Sequence, residues 1–400
     1  MTIDNAQHDE VPSSRTTLRV AHCLHTLDLG GAQRVVASIV RGSQRHAVRP
    51  FVYAAIDGVF RRELEDAGAQ VRILRRHLPK FDPFWAIALA HAMRADGIDV
   101  VHTHLFGDTL HGYLAARIAG KRPVVMTLHI GTEGLTSLQR GGYRWLLRRS
   151  SRTIACTESA SRSFAALVGD AVRIETIANG IAIPPGTDVA RIAPLRTALG
   201  IPENTPVIGA IGRLAEQKGF ADLIDAVAHL GVTERRSPWL VVVGAGPLLA
   251  TLRDRARAAG IGERVVFAGY RSDIADLLAV FDVVVFSSLY EGLSIALLEA
   301  MACACCIVAT DAPGITDAVS DDREALVVPR RDPVRLSAAL HRVLGDSGMR
   351  ARLGVAAQRR FRTAFTVDEM VGRYFRVYDD LRRQACDQRA PEARPAAEPA

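Results

Sequence analysis

The sequence has no long hydrophobic run. Its main apolar stretches, near residues 281–286 and 300–309, are far shorter than the ~18 to 20 residues that a membrane-spanning helix needs. Residues 1–15 are polar and include Asp4, Asp9 and Glu10, so they lack the cationic start and apolar core of a secretory signal. We therefore expect a cytoplasmic protein without a transmembrane helix.

Cysteine and aromatic residues are also sparse. The six cysteines, of which Cys303, Cys305 and Cys306 lie together, form no spaced framework and lack the paired Cys-x-x-Cys motifs of a zinc site. We expect small buried apolar residues instead. Aromatic residues make up 6% of the chain, so nothing indicates the stacking platforms of a nucleic-acid-binding module, and we expect no nucleic-acid partner.

The positive charge comes almost entirely from arginine. Lysine and arginine together number 50 against 43 acidic residues, which gives a net charge of +7, and the only lysines are Lys80, Lys121 and Lys218. This charge favours anionic partners without identifying one.

The apolar pattern indicates an α/β protein with two doubly wound, Rossmann-like domains. A length of 400 residues suggests two or three domains, and short apolar strands alternate with helical segments as parallel sheets require. The predicted strands are 18–24, 50–55, 71–74, 100–104, 124–129 and 153–157 in the first half, and 207–211, 240–243, 265–267, 283–286, 306–309 and 327–328 in the second.

The last amphipathic segment begins with Thr366 and Glu369 at capping-box spacing, and its apolar face must pack on a neighbour. Doubly wound domains bind ligands at the carboxyl ends of their strands, so two facing domains place the chemistry in the loops of one cleft. The predicted segments are a disordered tail (1–16), a first domain (17–183), a second domain (184–365) that begins at Pro184-Pro185, a final helix (366–384) and a disordered tail (385–400).

Glycines and cations in these loops suggest phosphate binding. Gly30 and Gly31 precede a helix and let backbone N–H groups approach a phosphate, although paired glycines also form structural turns. Arg213 and Lys218 lie between a strand and a helix, where cations oppose the helix dipole. We expect these two side chains to neutralise a diphosphate rather than to be merely solvated.

Two carboxylates follow the strand 283–286. Glu291 lies in the turn, and Glu299 lies in the next helix among the apolar residues 297–301, where an unpaired carboxylate is costly. A ribose diol would supply Glu299 with two donors. The structural alternative is backbone N–H donors from a neighbouring loop.

Five motifs occur in order along the chain: Gly30-Gly31-Ala-Gln, Asn179-Gly180, Gly212-Arg213 with Lys218-Gly219, Gly244-Ala-Gly246-Pro247, and Glu291-Gly-Leu-Ser followed by Leu-Leu-Glu299-Ala-Met-Ala. Together they resemble the family 4 glycosyltransferases of the GT-B fold, over residues 17–381. The resemblance implies a retaining, metal-independent transfer from a nucleotide-diphosphate sugar, with no cofactor. The acceptor would be a saccharide, a lipid-linked molecule or another glycoconjugate of cell-surface polysaccharide assembly, and the final helix would cross back onto the first domain.

The resemblance also implies residue roles. Arg213 and Lys218 would hold the donor diphosphate, Glu299 its ribose, Glu291 with the backbone of Gly292, Leu293 and Ser294 the sugar and phosphate, Gly30 and Gly31 the phosphate from the opposite domain, Tyr270 and Arg271 the base, and His129 the sugar. The chain departs from the family at residues 302–306 and at Asp317, which leaves the role of Asp317 open.

Two histidines lie in the predicted strand 100–104. We expect His102 and His104 to point to opposite faces and so not to bind one metal ion together. His102 is then a hydrogen-bonded core residue, whereas His104 is a candidate for the acceptor side. We expect no metal site.

Two basic segments are candidates for the acceptor side. Arg75 and Arg76, with His77 and Lys80, would suit a phosphate-bearing acceptor such as a lipid-linked saccharide. Residues 140–152 mix arginines with aromatic and leucine side chains, as either a helix on an anionic membrane or a core-facing helix with a solvated face would.

Other functions remain open at this point. Gly244 and Gly246 begin like a dinucleotide-binding fingerprint, but Leu249 occupies the third glycine position and no acidic residue ends the next strand. A glycosidase would need the sugar between its two carboxylates and no cation pair. A nucleotide-sugar epimerase of the same fold and a non-catalytic sugar-nucleotide-binding protein are the remaining alternatives.

Overall fold

The computed structural model describes residues 17–28, 30–79, 81–184, 186–230 and 237–387. The predicted N-terminal tail, Lys80, Pro185 and the C-terminal tail from residue 388 lie outside the described residues.

The first domain is built on a parallel sheet. Six of its strands were predicted from the apolar pattern, and the seventh, at residues 174–176, was not, because it is three residues long and only half-buried. The strands are β1 (Leu18–Thr26), β2 (Val48–Ile56), β3 (Gln70–Ile73), β4 (Val100–Thr103), β5 (Val124–Leu128), β6 (Arg152–Ala155) and β7 (Ile174–Thr176), in the spatial order β3-β2-β1-β4-β5-β6-β7.

Helices connect these strands and cover both faces of the sheet. They are α1 (Gly31–Gly42), α2 (Phe60–Asp66), α3 (Pro83–Ala95), α4 (Phe106–Ile118), α5 (Ser137–Leu147) and α6 (Glu158–Val168). One apolar cluster around Trp85 and Phe164 and another around Leu24 and Phe60 fill the space between helices and sheet.

The second domain repeats this architecture with six parallel strands, all of them predicted. The strands are β8 (Val207–Ile211), β9 (Trp239–Val243), β10 (Val265–Gly269), β11 (Val283–Phe286), β12 (Ile307–Thr310) and β13 (Leu326–Val328), in the order β10-β9-β8-β11-β12-β13. Its helices are α7 (Ile192–Ala198), α8 (Phe220–His229), α9 (Leu249–Ala258), α10 (Ile274–Val280), α11 (Ile295–Ala302), α12 (Ile315–Ala318), α13 (Pro333–Gly345) and α14 (Ser347–Ala364).

The final helix, α15 (Val367–Asp387), returns to the first domain, as expected, and continues three residues past the predicted end at residue 384. Thr366 caps it by accepting the backbone N–H of Glu369 at 3.4 Å. Tyr374 and Tyr378 pack with Leu18 and Val100 in one buried cluster. The apolar face predicted from the sequence is therefore buried against the strands of the first domain.

Two predictions from composition can be compared with the fold. Cys23, Cys156, Cys305 and Cys306 are buried free thiols, as expected, whereas Cys303 is only partly buried. Among the described residues, none of the helices combines the length and the apolar character that crossing a membrane requires.

Candidate active site

The two domains meet at the carboxyl ends of their strands. Gly292, after β11, lies so close to the end of β5 that a Cβ on it would be 1.8 Å from the backbone oxygen of His129. Cys156, after β6, donates its thiol to the same oxygen at 3.1 Å. The loops of both domains therefore form one cleft at this contact.

The loop after β8 positions the two predicted phosphate-binding cations. Gly219 has φ +60°, and a Cβ there would lie 2.1 Å from the backbone oxygen of Ser287, so this turn requires glycine. Lys218 directly precedes it, at the end of a short 3-10 helix, Glu216–Lys218. Arg213 is exposed and forms no ion pair with any described residue, which leaves its guanidinium available to an anion.

Lys218 and Glu291 form an ion pair at the bottom of this loop. The Lys218 ammonium bonds Glu291 Oε1, and the Ser288 hydroxyl donates to the same oxygen at 2.7 Å. The two side chains are 16% and 7% exposed. Because a charge this buried needs its partner, Glu291 holds Lys218 in place at the strand ends.

Glu299 has a partner that the sequence analysis did not anticipate. Arg34, in the first turn of α1, donates Nη1 to Glu299 Oε1 at 2.8 Å across the cleft. Burial raises the pKa of Glu299, and the Arg34 charge opposes that shift. The sequence predicts a ribose or a neighbouring backbone as the partner of Glu299. In the structure, a cation of the other domain pairs with this carboxylate instead.

The turn that joins Glu291 to α11 presents backbone N–H groups at a helix N-terminus. Leu293 is buried, and its carbonyl accepts the Asn179 side-chain amide at 3.2 Å. Ser294 precedes the first residue of α11, and its hydroxyl makes no capping bond. The first N–H groups of α11 thus have no side-chain acceptor, which is the arrangement that binds anions.

On the opposite side, Gly30 and Gly31 begin α1 as predicted. A Cβ on Gly31 would meet no atom within 4 Å, so packing does not require glycine there. A Cβ on Gly30 would instead meet the side chain of Gln33 at 2.3 Å. The open space at Gly31 is consistent with the close approach of a ligand.

Tyr270 and Arg271 follow β10, and their side chains differ in exposure and in their partners. Tyr270 is 55% exposed and lines a depression of about 1150 Å³ together with Glu299 and Arg34. Arg271 is engaged by Asp273 through both forks of its guanidinium. Tyr270 therefore shares a cavity with the predicted ribose residue, whereas Arg271 is held by its own loop.

The histidines of β1, β4 and β5 form a buried array. His22 Nδ1 lies 3.2 Å from His104 Nε2, and His104 Nδ1 lies 3.3 Å from His129 Nε2. The expectation that His102 and His104 point to opposite faces is wrong, since residues two apart in a strand share a face and these rings are 4.1 Å apart. His104 is 1% exposed, so it contacts His129 and not an acceptor.

His102 has two hydrogen-bond partners outside this array, Tyr378 and Thr127. His102 is the hydrogen-bonded core residue that was expected, with Nδ1 2.6 Å from the Tyr378 hydroxyl and Nε2 2.7 Å from Thr127 Oγ1. Burial lowers the pKa of His129 to about 4 and that of His22 to about 3, so both rings are neutral near pH 7.

The same array bears on metal binding. His22, His102 and His104 each offer one nitrogen within 4.8 Å of the others, which a transition-metal ion could exploit. Both nitrogens of His102 are already hydrogen-bonded to hydroxyl groups, so a metal ion would have to replace one of those bonds.

The predicted acceptor side is a second depression, of about 910 Å³, in the first domain. Arg75, Arg76, His25 and Arg61 line it, and Arg76 Nη1 lies 3.1 Å from His25 Nδ1. Asp82 stabilises the loop beside it by accepting several backbone N–H groups. The basic character of this depression agrees with the sequence analysis.

Residues 140–152 comprise most of α5, the turn after it and the first residue of β6. Leu146 and Leu147 are buried, whereas Trp145 is 38% exposed and stacks under the Arg149 guanidinium at 4.6 Å. The helix thus has the core-facing side of one interpretation and keeps its arginines on the outside.

Sequence reasoning missed Arg34, His22 and the role of Asp317. Arg34 is a cation in the first turn of a helix, the same unfavourable placement that drew attention to Lys218. Asp317 accepts the backbone N–H of Ser159 at 3.2 Å, which links α12 to α6 of the other domain. No local pattern predicts that contact.

Comparisons with known proteins agree with this arrangement. Residues 29–183 match the model of Glycosyltransferase Family 4, and residues 192–360 match that of Glycosyl transferases group 1. The 2-deoxystreptamine N-acetyl-D-glucosaminyltransferase of Streptomyces fradiae is 28% identical over 386 residues, covering 86% of this chain and 88% of that protein. The D-inositol 3-phosphate glycosyltransferase of Acidothermus cellulolyticus is 30% identical over 343 residues, covering 76% and 73%.

Solved structures give the same fold. HepE of Anabaena, in complex with UDP-glucose, superimposes with a TM-score of 0.82 at 23% identity, over 91% of this chain and all of that one. This chain is therefore a glycosyltransferase of the GT-B fold and belongs to the family 4, or group 1, glycosyltransferases.

Proposed function

We propose that this glycosyltransferase takes its sugar from a nucleotide-diphosphate donor, with retention of the anomeric configuration and without a metal ion. The observation that supports this most is the exposed Arg213, which forms no ion pair within the described part of the chain and lies in the same loop as Lys218. Two cations there supply the charge that a divalent metal ion would otherwise supply to a leaving diphosphate.

We propose a uridine nucleotide as the donor. HepE of Anabaena binds UDP and UDP-glucose in a fold that covers nine-tenths of this chain. In this chain, Glu299 and Tyr270 line one cavity of about 1150 Å³, in which we place the ribose at the carboxylate and the base near the ring. Arg34 must exchange its bond to Glu299 for one to the donor when the ribose binds.

The transfer follows from these positions. The bond between the sugar C1 and the phosphate oxygen breaks, and Arg213 and Lys218 stabilise the charge that develops on that oxygen. The acceptor hydroxyl forms its bond to C1 on the same face, and its proton passes to the leaving phosphate. No enzyme nucleophile is required, and Glu291 acts by holding Lys218.

His129 contributes as a neutral ring. Its Nε2 is occupied by His104, which leaves Nδ1 as the atom that faces the cleft. Because burial keeps the pKa of His129 near 4, the ring can donate to or accept from a sugar hydroxyl without adding a charge to the site.

The test is transfer of labelled sugar from UDP-sugars to a panel of saccharide and polyol acceptors, in EDTA. We expect turnover in EDTA, a product with the donor's anomeric configuration by NMR, and a loss of roughly a hundredfold or more in kcat for Lys218→Ala. Arg359→Ala, an exposed cation of α14 in the second domain, is the matched control and should leave kcat unchanged. Turnover that needs added metal, or an inverted product, would refute the proposal.

We further propose a phosphate-bearing acceptor, such as a lipid-linked saccharide of cell-surface polysaccharide assembly. The depression lined by Arg75 and Arg76 supports it, because guanidinium groups bind phosphate oxygens in pairs. With a lipid-linked acceptor, the outward arginines of α5 would rest against an anionic membrane from the cytoplasmic side. Replacing Arg75 and Arg76 with alanine should raise KM for a phosphorylated acceptor and leave KM for the donor unchanged.

A further inference from the structure

A third depression lies at the edge of the first sheet opposite the cleft. It measures about 1220 Å³ and is lined by the amino ends of β1, β2, β4, β5 and β6, whereas the cleft lies at the carboxyl ends of the strands. The ends of α4 and α5 and the last turns of α15 complete its wall. This position separates it from the donor and acceptor sites by the full length of the strands.

Nearly all the charged side chains that line this depression are positive. Eight cationic side chains line it, and Asp99 is its only carboxylate among the described residues. Arg49, Arg117, Lys121 and Arg122 form no ion pair with any described residue. Like charges gathered in one depression repel one another, and this repulsion destabilises the folded protein. A bound anion would neutralise the charges and remove the repulsion.

Helix dipoles do not account for so many cations. The C-termini of α3, α4 and α5 lie at this edge, and each is equivalent to about half a negative charge. With the C-terminus of α15, Asp99 and the pairing of Arg382 to Asp379, they offset about half of the eight positive charges. The excess therefore indicates a ligand rather than local compensation.

The lining also indicates the class of ligand. Most of the cations are arginine, whose forked guanidinium donors match phosphate oxygens. Arg19 and Arg152 each donate one guanidinium N–H to a backbone carbonyl. This bond fixes the side chain and leaves its other N–H groups for a ligand. The lining includes a single aromatic side chain, Tyr113, which is 9% exposed, so stacking of a nucleobase is not favoured.

The lining of this depression is not suited to binding a lipid bilayer. The aliphatic side chains of the lining are buried and not available to insert between lipids: Leu18, Val100, Val124 and Leu381. A depression with charged walls fits a compact ligand better than a flat surface.

We propose that this basic depression is a second binding site, for a compact polyanion that carries several phosphate groups and no stacked base. It lies apart from the transfer site and does not depend on the function proposed above. Its ligand approaches from the side of the molecule opposite to the nucleotide.

The test is calorimetric titration of the full chain with inorganic tripolyphosphate at about 0.15 M salt, in the presence of saturating UDP. We expect 1:1 binding that Glu299→Ala does not change. A triple variant, Arg117→Gln with Lys121→Gln and Arg122→Gln, should weaken binding at least about tenfold and leave the UDP affinity unaltered.

A matched triple variant controls for net charge. Arg62→Gln, Arg253→Gln and Arg359→Gln remove the same charge at exposed positions outside the depression, and should leave tripolyphosphate binding as it is. Equal loss in both triple variants, competition by UDP, or the absence of 1:1 binding would overturn the proposal. So would binding only to phosphatidylglycerol vesicles, which would identify the surface as a membrane contact.

Discussion

Two ion pairs in the cleft each join residues that are far apart in sequence. Lys218 is bonded to Glu291, and Arg34 to Glu299. Removing one member of a buried pair leaves an uncompensated charge, which costs more than the pair contributes. The conservative variants Glu291→Gln and Glu299→Gln therefore isolate charge from packing better than alanine does.

The buried histidines make stability depend on pH. The pKa values of His22 and His129 are lowered to about 3 and about 4 from 6.5, because burial disfavours the charged ring. Between pH 6.5 and 4 the unfolded chain therefore binds more protons than the folded one, and stability falls as the pH falls, by up to about 1.4 kcal/mol per pH unit for one histidine.

Urea unfolding at a series of pH values tests this at the level of one residue. His22→Leu should be less stable near pH 7, because His104 loses a hydrogen-bond partner, but its stability should decrease less steeply on acidification. Asp108, whose pKa burial raises to about 7, acts with the opposite sign in both proteins and cancels in the comparison. Parallel pH profiles for the two proteins would contradict the account.

At the scale of elements, the sequence predicts what is local and strongly patterned. Apolar runs identified twelve strands of the two sheets, because buried parallel strands are continuously apolar. β7 has three half-buried residues and no such run. The sequence does not decide the environment of α5, because the same pattern of arginine and leucine is typical of both a membrane-facing and a core-facing helix.

Asp82 stabilises the start of α3 and the loop that precedes it. Its carboxylate accepts the N–H groups of Phe84 and Trp85 in the first turn and those of His77 and Leu78 in the loop. Asp82→Ala should reduce the free energy of unfolding by on the order of 2 kcal/mol, because a cap and the loop bonds are lost together.

A second capped helix provides the control for Asp82. Asp332 caps α13 through the N–H of Arg335 and, like Asp82, precedes a proline. Asp332→Ala should cost about 1 kcal/mol, the usual value of one cap. Equal losses in urea unfolding would show that the loop bonds of Asp82 contribute nothing.

At the scale of the molecule, the cleft depends on how closely the domains approach. A Cβ at position 292 would overlap the backbone oxygen of His129, so Gly292→Ala must push the domains apart. We expect a larger radius of gyration in X-ray scattering and a loss of roughly a hundredfold in transfer, because the reacting groups are misplaced. Gly31→Ala, which meets no atom, should leave the scattering curve unchanged.

The contacts between domains are what the sequence could not reveal. Arg34 and Glu299 are 265 residues apart, and the basic depression combines residues from the starts of five strands. Each of its arginines is unremarkable in a chain whose charge is mostly arginine, and only the strand order brings them together. The loop motifs were predictable because each lies between one strand and the next helix.

The central claim, a nucleotide-diphosphate donor bound without metal at Glu299, is tested most directly by calorimetry. UDP, GDP, ADP and TDP are titrated in EDTA into the native chain, Glu299→Ala and Glu263→Ala, an exposed carboxylate of the same domain. We expect UDP to bind the native chain. Glu299→Ala should weaken UDP binding by roughly tenfold, because the ribose contact is lost, whereas Glu263→Ala should leave UDP binding unchanged. Failure of all four nucleotides to bind in EDTA, or equal binding by Glu299→Ala and the native chain, would contradict it.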